Sequence, residues 1–599
     1  MAEISKKIIN EVDSCVDDCL EGIVACNPGL KLLEGHRVVI RADVGELRAA
    51  GKVCLISGGG SGHEPAHAGY VGKGMLTAAV AGAVFSSPPP DSILAAIRAA
   101  GKDNPGGILL IVKNYTGDKL NFGIASERAK TEGILVEMIV VGEDCALTTQ
   151  DKTAGRRGLC GTVLIHKIAG AMAEANKSLM EILRVTRFAV ANMGTIGLSL
   201  SPCSLPGFGP TFNLAADEME LGLGIHGEAG VRRMKLTSAK EIVRIMFDHM
   251  TDVNTGTHLE LKTGDQVCLV VNNLGGTSML ELNIVAKEAV NYLENLGVQV
   301  DRMYCGVFMT SLDMSGVSLT LLHLDSLLKK YLDATSSAFA WMKPMLGNDM
   351  MERITPDKLP AIEYNINQLE DMEGDTIDPE LAKIIYEALH RMCTDLIDAE
   401  SRLNYLDTEA GDGDCGTTHK RGAESILEQL GPAESPGLPV SCPHDLILKL
   451  AKIVEQSMGG SSGALYSLFL SASAPALRMN DWLTAFQQGI AAMSRYGGAE
   501  QGDRTMLDAL FAAHSSMVKC VATCLPFDQS LESIIKETEA AAQATEKMRA
   551  QAGRASYVSV DRLNHPDPGA VAVSIWIKSI AEVLKQHKLS ASFQAAIVE

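Results

Sequence analysis

The chain has 599 residues, a formal net charge of −20 and a sequence pI near 5.2. A single hydrophobic core rarely grows beyond roughly 250 to 300 residues, so two or three domains are expected. The acidity excludes a phosphate-backbone partner, which needs clustered Lys and Arg, and it disfavours anionic membrane surfaces; no apolar run approaches the roughly 20 residues that span a bilayer.

The first residues, MAEISKKIINEVDSCVDDCL, are too acidic for a secretory segment and read as an amphipathic helix. From Val38 to about Ser326, short β-branched runs alternate with helical stretches, the pattern of a parallel sheet covered by helices. Strands are expected at Val53–Ser57, Gly107–Lys113, Leu135–Val141, Gln266–Asn272 and Val317–Leu324. Ala78–Val84 reads as a core segment. Helices are expected at Asp91–Ala100, Asp118–Glu132, Leu179–Arg187 and Leu280–Asn295. Between Met342 and Asp378 the pattern breaks around Pro344, Pro356 and Pro360 and an acidic run, as in an exposed linker. Beyond Pro379 the periodicity is helical, in Leu381–Leu396, Asp445–Ser457, Trp482–Met493 and Leu531–Ala550. The 14 Cys lack CxxC pairs, which fits a reducing cytosol better than a disulfide framework or a zinc ribbon.

Glycine-rich motifs fall at the ends of these elements. GGGSGHEPAHAG follows a strand, where bare amides can cradle a phosphate or a small polar ligand; a tight turn is the plain alternative. His63, Glu64 and His67 satisfy HExxH, but Pro65 is tolerated only in a first helical turn, so a zinc site is disfavoured. A dinucleotide fingerprint fails because His63 replaces its third glycine, and no P-loop is present. In KNYTGD, Lys113 and Asp118 bracket a turn and could orient and deprotonate a hydroxyl, although Asp118 could equally be a helix cap.

In LGLGIHGEAG, glycines let a ligand approach His226, whose imidazole could add to a carbonyl; a structural histidine is as compatible. LDTEAGDGDCGTTH concentrates Asp407, Asp412 and Asp414, oxygen ligands for a hard cation shared with nucleotide phosphates. A calcium loop would need Glu at its twelfth position, which is Thr418 or Ala423 depending on the start. MGGSSGALY, GDRTMLD and Asp567-Pro568-Gly569-Ala570 supply amides and hydroxyls at further turns, each of which could be a plain cap.

These motifs, in this order, resemble the single-chain, ATP-dependent dihydroxyacetone kinases over nearly the whole chain, and its animal members most. The resemblance implies a two-lobed α/β substrate domain at 1–340, a linker at 341–377, and an all-α helical-barrel nucleotide domain at 378–599. It implies that His226 anchors the substrate as a hemiaminal, and that Gly59, Gly60, Ser61, Gly62, His63, Lys113 and Asp118 contact it. Asp118 would then take the hydroxyl proton with His63 assisting.

By the same likeness, Asp407, Asp412 and Asp414 hold two Mg²⁺ ions on ATP. Asp414, Cys415, Gly416, Thr417, Thr418, Gly459, Ser461, Ser462, Arg504, Thr505, Asp567, Pro568 and Gly569 would form the nucleotide pocket. Implied substrates are dihydroxyacetone and D-glyceraldehyde, with domain closure within the chain or across a homodimer. The animal members also imply splitting of FAD into AMP and riboflavin cyclic 4',5'-phosphate with Mn²⁺ or Co²⁺. A non-catalytic triose-binding regulator is the alternative of a different class.

Overall fold

The computed structural model describes residues 5–147, 155–228, 230–346, 375–408, 411–558 and 563–587. The chain divides into two compact units, Met1–Lys358 and Leu359–Glu599. The expected linker at 341–377 lies largely outside the described residues.

The first unit holds two six-stranded sheets. One comprises β1 (Leu30–Leu32), β2 (Val38–Arg41), β3 (Cys54–Ser61), β4 (Ala78–Val84), β5 (Ile108–Lys113) and β6 (Val136–Val141), in the order β1-β2-β4-β3-β5-β6. The strands β4, β3, β5 and β6 pair in parallel. Both faces of this sheet are buried, which is why its strands read as unbroken apolar runs. Along β5, Ile108, Leu110 and Val112 face a core shared with helices Pro90–Gly101 and Thr116–Thr131. Leu109 and Ile111 face the opposite core, shared with helices Thr162–Glu174 and Leu179–Ala191.

The second sheet comprises β7 (Met193–Ser199), β8 (Glu218–Leu221), β9 (Arg232–Lys235), β10 (Gln266–Asn273), β11 (Gln299–Gly306) and β12 (Gly316–His323). Cys268, Val270 and Leu322 turn toward the same two central helices. Leu269, Val271 and Leu321 pack beneath helices Ala239–Met250 and Met279–Asn295. The unit is therefore layered as helices, sheet, helices, sheet, helices.

Two expectations need correction. The second sheet is not parallel: only the β10–β11 pair is, while β12 lies antiparallel between β7 and β10, and β7, β8 and β9 are joined as antiparallel neighbours. Burial of both faces erases the alternation that would have separated the two cases. The N-terminal helix is also shorter than expected, Cys15–Cys26. Before it, Asn10 and Ser14 side chains bond Asp18 at 3.1 and 2.9 Å, and Lys7 pairs with Asp313 at 2.6 Å, drawing the preceding segment away from a helical course.

The second unit is all α among the described residues. Helices Pro379–Asp398, Cys415–Leu430, Pro443–Ser457, Gly460–Ser473, Trp482–Gly497, Met506–Ala522, Phe527–Ala544 and Pro568–Gln586 each pack on the next, and the last packs on the first. The result is a closed ring, an up-and-down helical barrel. Apolar positions at helical spacing, such as Leu381, Ile384, Ala388 and Leu389, line an interior cavity of about 650 Å³. The helix expected at Leu531–Ala550 stops at Ala544 because Thr545 is committed elsewhere. Its hydroxyl bonds Ala542 O at 2.6 Å and accepts from Asp567 N at 2.8 Å, fixing the turn before the last helix.

Candidate functional site

The glycine motif of the first unit is not a loop. The strand β3 continues through Gly58, Gly59 and Gly60 to Ser61, all buried. Each glycine is required by close approach: a Cβ on Gly58 would lie 2.2 Å from Val80 O, and one on Gly60 2.7 Å from Ser86 N. A Cβ on Gly59 would sit 3.2 Å from Lys113 Cε and 3.6 Å from Asp118 Oδ2, so the bare strand brings its backbone against both residues. Two further positions are engaged internally: Ser61 Oγ donates to Gly82 O at 2.8 Å, and the Gly62 amide donates to the Glu64 carboxylate at 2.9 Å.

Around this floor the structure assembles His63, Lys113, Asp118 and His226. Lys113 ends β5 and Asp118 lies in the first turn of the following helix. Asp118 does not cap that helix; its Oδ1 accepts from Ser87 Oγ at 2.5 Å. The His226 ring stands edge-on to His63, Phe85 and Tyr115, with centroids at 4.8, 5.3 and 4.6 Å. The Lys113 ammonium lies 5.6 Å from the Tyr115 ring centre.

Lys113 Nζ, His63 Nε2 and Tyr115 Oη are buried without a hydrogen-bond partner among the described residues. Such groups are costly unless a ligand satisfies them. Burial, with Lys113 and His226 close by, holds His63 well below the usual histidine range. Its Nδ1 faces Thr310 O at 2.9 Å and must donate, so Nε2 presents a lone pair. Burial also lowers the Lys113 value, against the opposing charges of Asp118 and Glu143.

His63 and His67 share no helical face: His67 Nδ1 lies 3.0 Å from His166 Nε2, away from the His63 contacts, and the HExxH reading falls.

Residues that the motif reading passed over complete the site. Glu228, inside the quoted GIHGEAG run, binds His226 Nδ1 at 3.1 Å. Ser87 and Phe85 lie in a proline-rich turn that carried no signal. Glu143 is fully buried, with Oε1 accepting from Leu159 N and Gly161 N, both at 2.9 Å. Burial pushes its carboxyl up to about 7, although those amides and Arg156 pull the other way.

Because the folded value exceeds the unfolded one, the stabilisation is full below about pH 4.5 and is lost as pH rises through 7. Glu143→Gln is expected to remove this slope, which is worth about 3 kcal/mol. Denaturant unfolding at acidic and at mildly alkaline pH checks it; equal slopes in the variant and the parent would disprove the assignment.

In the second unit, neighbouring helices of the ring alternate in direction, so the N-termini at Cys415, Gly460, Met506 and Pro568 share one end. Unpaired amides and positive dipole ends there favour anionic oxygens. Asp407, Asp412 and Asp414 each offer an oxygen, and these oxygens lie within 4.8 Å of one another. Asp407 is buried, and its Oδ2 accepts from Asp414 N at 3.0 Å and Cys415 N at 3.1 Å. This ties the end of helix Glu400–Asp407 to the start of the next. An all-oxygen set of this kind fits a hard divalent cation.

The remaining expected residues border the same end. Gly416 allows helix 415 to approach Glu400 O, where a Cβ would lie at 2.0 Å. Thr417 bonds Asn404 through both its amide and its hydroxyl at 3.0 Å, and Thr418 is buried. Gly459 caps helix 460 at φ +70°, with Ser461 and Ser462 in its first turn. Arg421 joins helix 415 to this start through Ser457 O and Met458 O.

Thr505 and Asp508 form a capping box, and Asp567 caps the last helix by accepting from Ala570 N at 2.8 Å, with Pro568 and Gly569 following. These residues act as helix caps. Arg504 holds φ +63° and is 1% exposed; Nη2 donates to His565 O at 2.8 Å, while Nε and Nη1 have no partner among the described residues. Burial raises Asp567 to about 6, opposed by the Ala570 amide and Arg504.

A Dak1 domain model matches residues 21–340 and a DAK2 domain model residues 409–582. The chain belongs to the dihydroxyacetone kinase family. It is 51% identical to the triokinase/FMN cyclase of Homo sapiens over 97% of this chain and 100% of that protein. The crystal structure of the dihydroxyacetone kinase of C. freundii in complex with AMP-PNP and Mg²⁺ superposes with a TM-score of 0.72 at 34% identity, covering 96% of this chain and 99% of that one. A dihydroxyacetone kinase operon co-activator matches at a TM-score of 0.51 and 36% identity, over 55% of this chain and 99% of its own. Among the described residues, no helix is long and apolar enough to cross a membrane.

Proposed function

We propose that this chain transfers the γ-phosphoryl group of ATP to dihydroxyacetone and D-glyceraldehyde. The observation that carries the reading is the presence, on one chain, of the His226 cluster and of three convergent aspartates at a shared end of helix N-termini. His226 adds through Nε2 to the substrate carbonyl and holds the triose as a hemiaminal, which glycerol, lacking a carbonyl, cannot form. Lys113 Nζ donates to a substrate oxygen. Asp118, held by Ser87, takes the proton of the attacking primary hydroxyl while the His63 lone pair accepts a hydrogen bond.

Asp407, Asp412 and Asp414 would hold Mg²⁺, which when bound neutralises charge on the nucleotide phosphates. First-turn amides of the helices that begin at Cys415, Gly460 and Pro568, such as those of Gly416, Gly460 and Gly569, with Arg504, orient those phosphates. The acceptor site is built in the first unit and the nucleotide site in the second, so neither unit holds both reactants; a cytosolic homodimer that closes in turnover suits this arrangement.

A second activity follows from the same nucleotide site: with Mn²⁺ or Co²⁺, the ribityl 4'-hydroxyl of FAD attacks the flavin-side phosphorus and AMP leaves, giving the cyclic 4',5'-phosphate. Support comes from the name of the human relative, which joins both activities. The regulator alternative has its counterpart in the operon co-activator, but that protein aligns with only 55% of this chain and leaves the aspartate cluster without a use. Purified protein given ATP and dihydroxyacetone, and separately FAD with Mn²⁺, tests the reading. Formation of dihydroxyacetone phosphate and of the cyclic flavin phosphate is expected, and triose binding without turnover would favour the regulator.

A further inference from the structure

Glu228 meets His226 twice, because one carboxylate faces both the ring Nδ1 and the backbone N–H of the same residue. Oε1 lies 3.1 Å from the ring Nδ1, and Oε2 accepts from the His226 backbone amide at 3.0 Å. Its seat exists because position 224 has no side chain: a Cβ there would lie 1.9 Å from Glu228 Oε2 and 2.8 Å from Arg157 Nη1. The guanidinium beside the carboxylate is itself fixed, donating to Asp144 Oδ2 at 2.6 Å and to Gly222 O at 2.7 Å. Burial works to raise the Glu228 carboxyl, but the His226 hydrogen bond and charge, with Arg157, hold it down to about 2.

An ionised carboxylate only accepts hydrogen bonds. The ring nitrogen facing it must therefore carry the proton, and the other nitrogen the lone pair. We infer that Glu228 is a positioning residue that fixes the His226 proton on Nδ1 and leaves Nε2 as the nucleophile toward the carbonyl substrate. The inference rests on the hemiaminal reading for its consequence, though not for the tautomer itself.

In the addition, the Nε2 lone pair forms the C–N bond, the C=O π pair moves to oxygen, and that oxygen takes a proton from solvent. The imidazolium so formed keeps its Nδ1 proton against Glu228, whose charge balances it. Other charged or titratable groups around the ring are His63, Tyr115 and Lys113, with Arg157, Asp144 and Glu143 behind them.

Glu228→Gln separates this role from packing, because the amide has nearly the same shape but only one accepting atom. If that oxygen serves the backbone amide, the NH₂ group faces Nδ1 and drives the proton to Nε2. Heteronuclear NMR of the full chain labelled in histidine reads the tautomer, and titration with dihydroxyacetone reads affinity. The parent is expected to show the Nδ1–H form. Glu228→Gln should show Nε2–H and weaken triose binding by at least about tenfold, the effect of one hydrogen bond to a charged group. Its ATP binding should be unchanged.

Gly224→Ala, which keeps Glu228 but removes its seat, should shift the tautomer in the same direction. An Nε2–H form in the parent, which needs no variant to fold, would overturn the inference, as would undiminished affinity in Glu228→Gln. Tight triose binding by His226→Ala would instead remove the hemiaminal reading while leaving the tautomer result standing.

Discussion

His226→Ala is expected to abolish tight binding of dihydroxyacetone and leave ATP binding and FAD splitting intact. The ring stands among His63, Phe85 and Tyr115, so its removal opens space without unpairing any other side chain except Glu228. On the proposed reading the covalent anchor would be lost; hydrogen bonds to Lys113 and His63 would remain, but a small triose offers few contacts to replace a bond. We expect kcat/KM for the triose to fall at least about a thousandfold, or roughly 4 kcal/mol. Steady-state kinetics with both substrates, alongside FAD turnover with Mn²⁺, measures it. If both activities vanished in a variant with the parent melting temperature, separate acceptor and nucleotide sites would be untenable.

Asp412→Ala is expected to remove both activities together. Of the three aspartates, Asp407 is a poor subject, since its carboxylate also holds the amides of Asp414 and Cys415 and its loss would disturb the start of a helix. Asp412 is exposed and lies on the glycine-flanked turn, so its replacement should leave the fold unchanged. Loss of one cation ligand should lower kcat by about three orders of magnitude or more in each reaction. Thermal unfolding with and without Mg²⁺ and ATP supplies the second readout: the parent gains stability on adding both, and the variant should gain little. Near-normal turnover in Asp412→Ala would take the aspartates out of the mechanism.

Much of the fold was legible from pattern alone. Runs such as Gly107–Lys113 and Gln266–Asn272 fall on β5 and β10 within a residue, because strands buried on both faces are short and apolar and end at glycine or polar residues. Strand direction was not legible, since the same double burial hides it. The strands β1, β2, β7, β8, β9 and β11 were missed; of these, Leu30–Leu32 and Arg232–Lys235 are largely exposed and carry little apolar signal.

At the sites, glycine clustering marked both regions, but its meaning differed from the loop that was expected. At Gly58 to Gly60 it serves close packing of main chain within a sheet. At Gly459 it permits a positive φ ahead of a helix. Ser87, Glu143 and Arg157 escaped notice because their partners, Asp118, Leu159 and Asp144, are set by tertiary placement, and neither spacing nor composition encodes that.

The glycine floor beneath the proposed triose site also limits how that site can change. Gly58 and Gly60 face main-chain atoms that cannot move aside, and Gly59 faces Lys113 and Asp118. A side chain at Gly58 or Gly60 would collide with main chain and disrupt the pocket without reshaping it. New acceptor preferences, whether selected in the laboratory or inherited, must therefore arise on the ring side, at Phe85 and Tyr115, where side chains and not backbone define the wall. A library directed at those two positions would explore specificity, whereas one directed at the glycines would sample only loss.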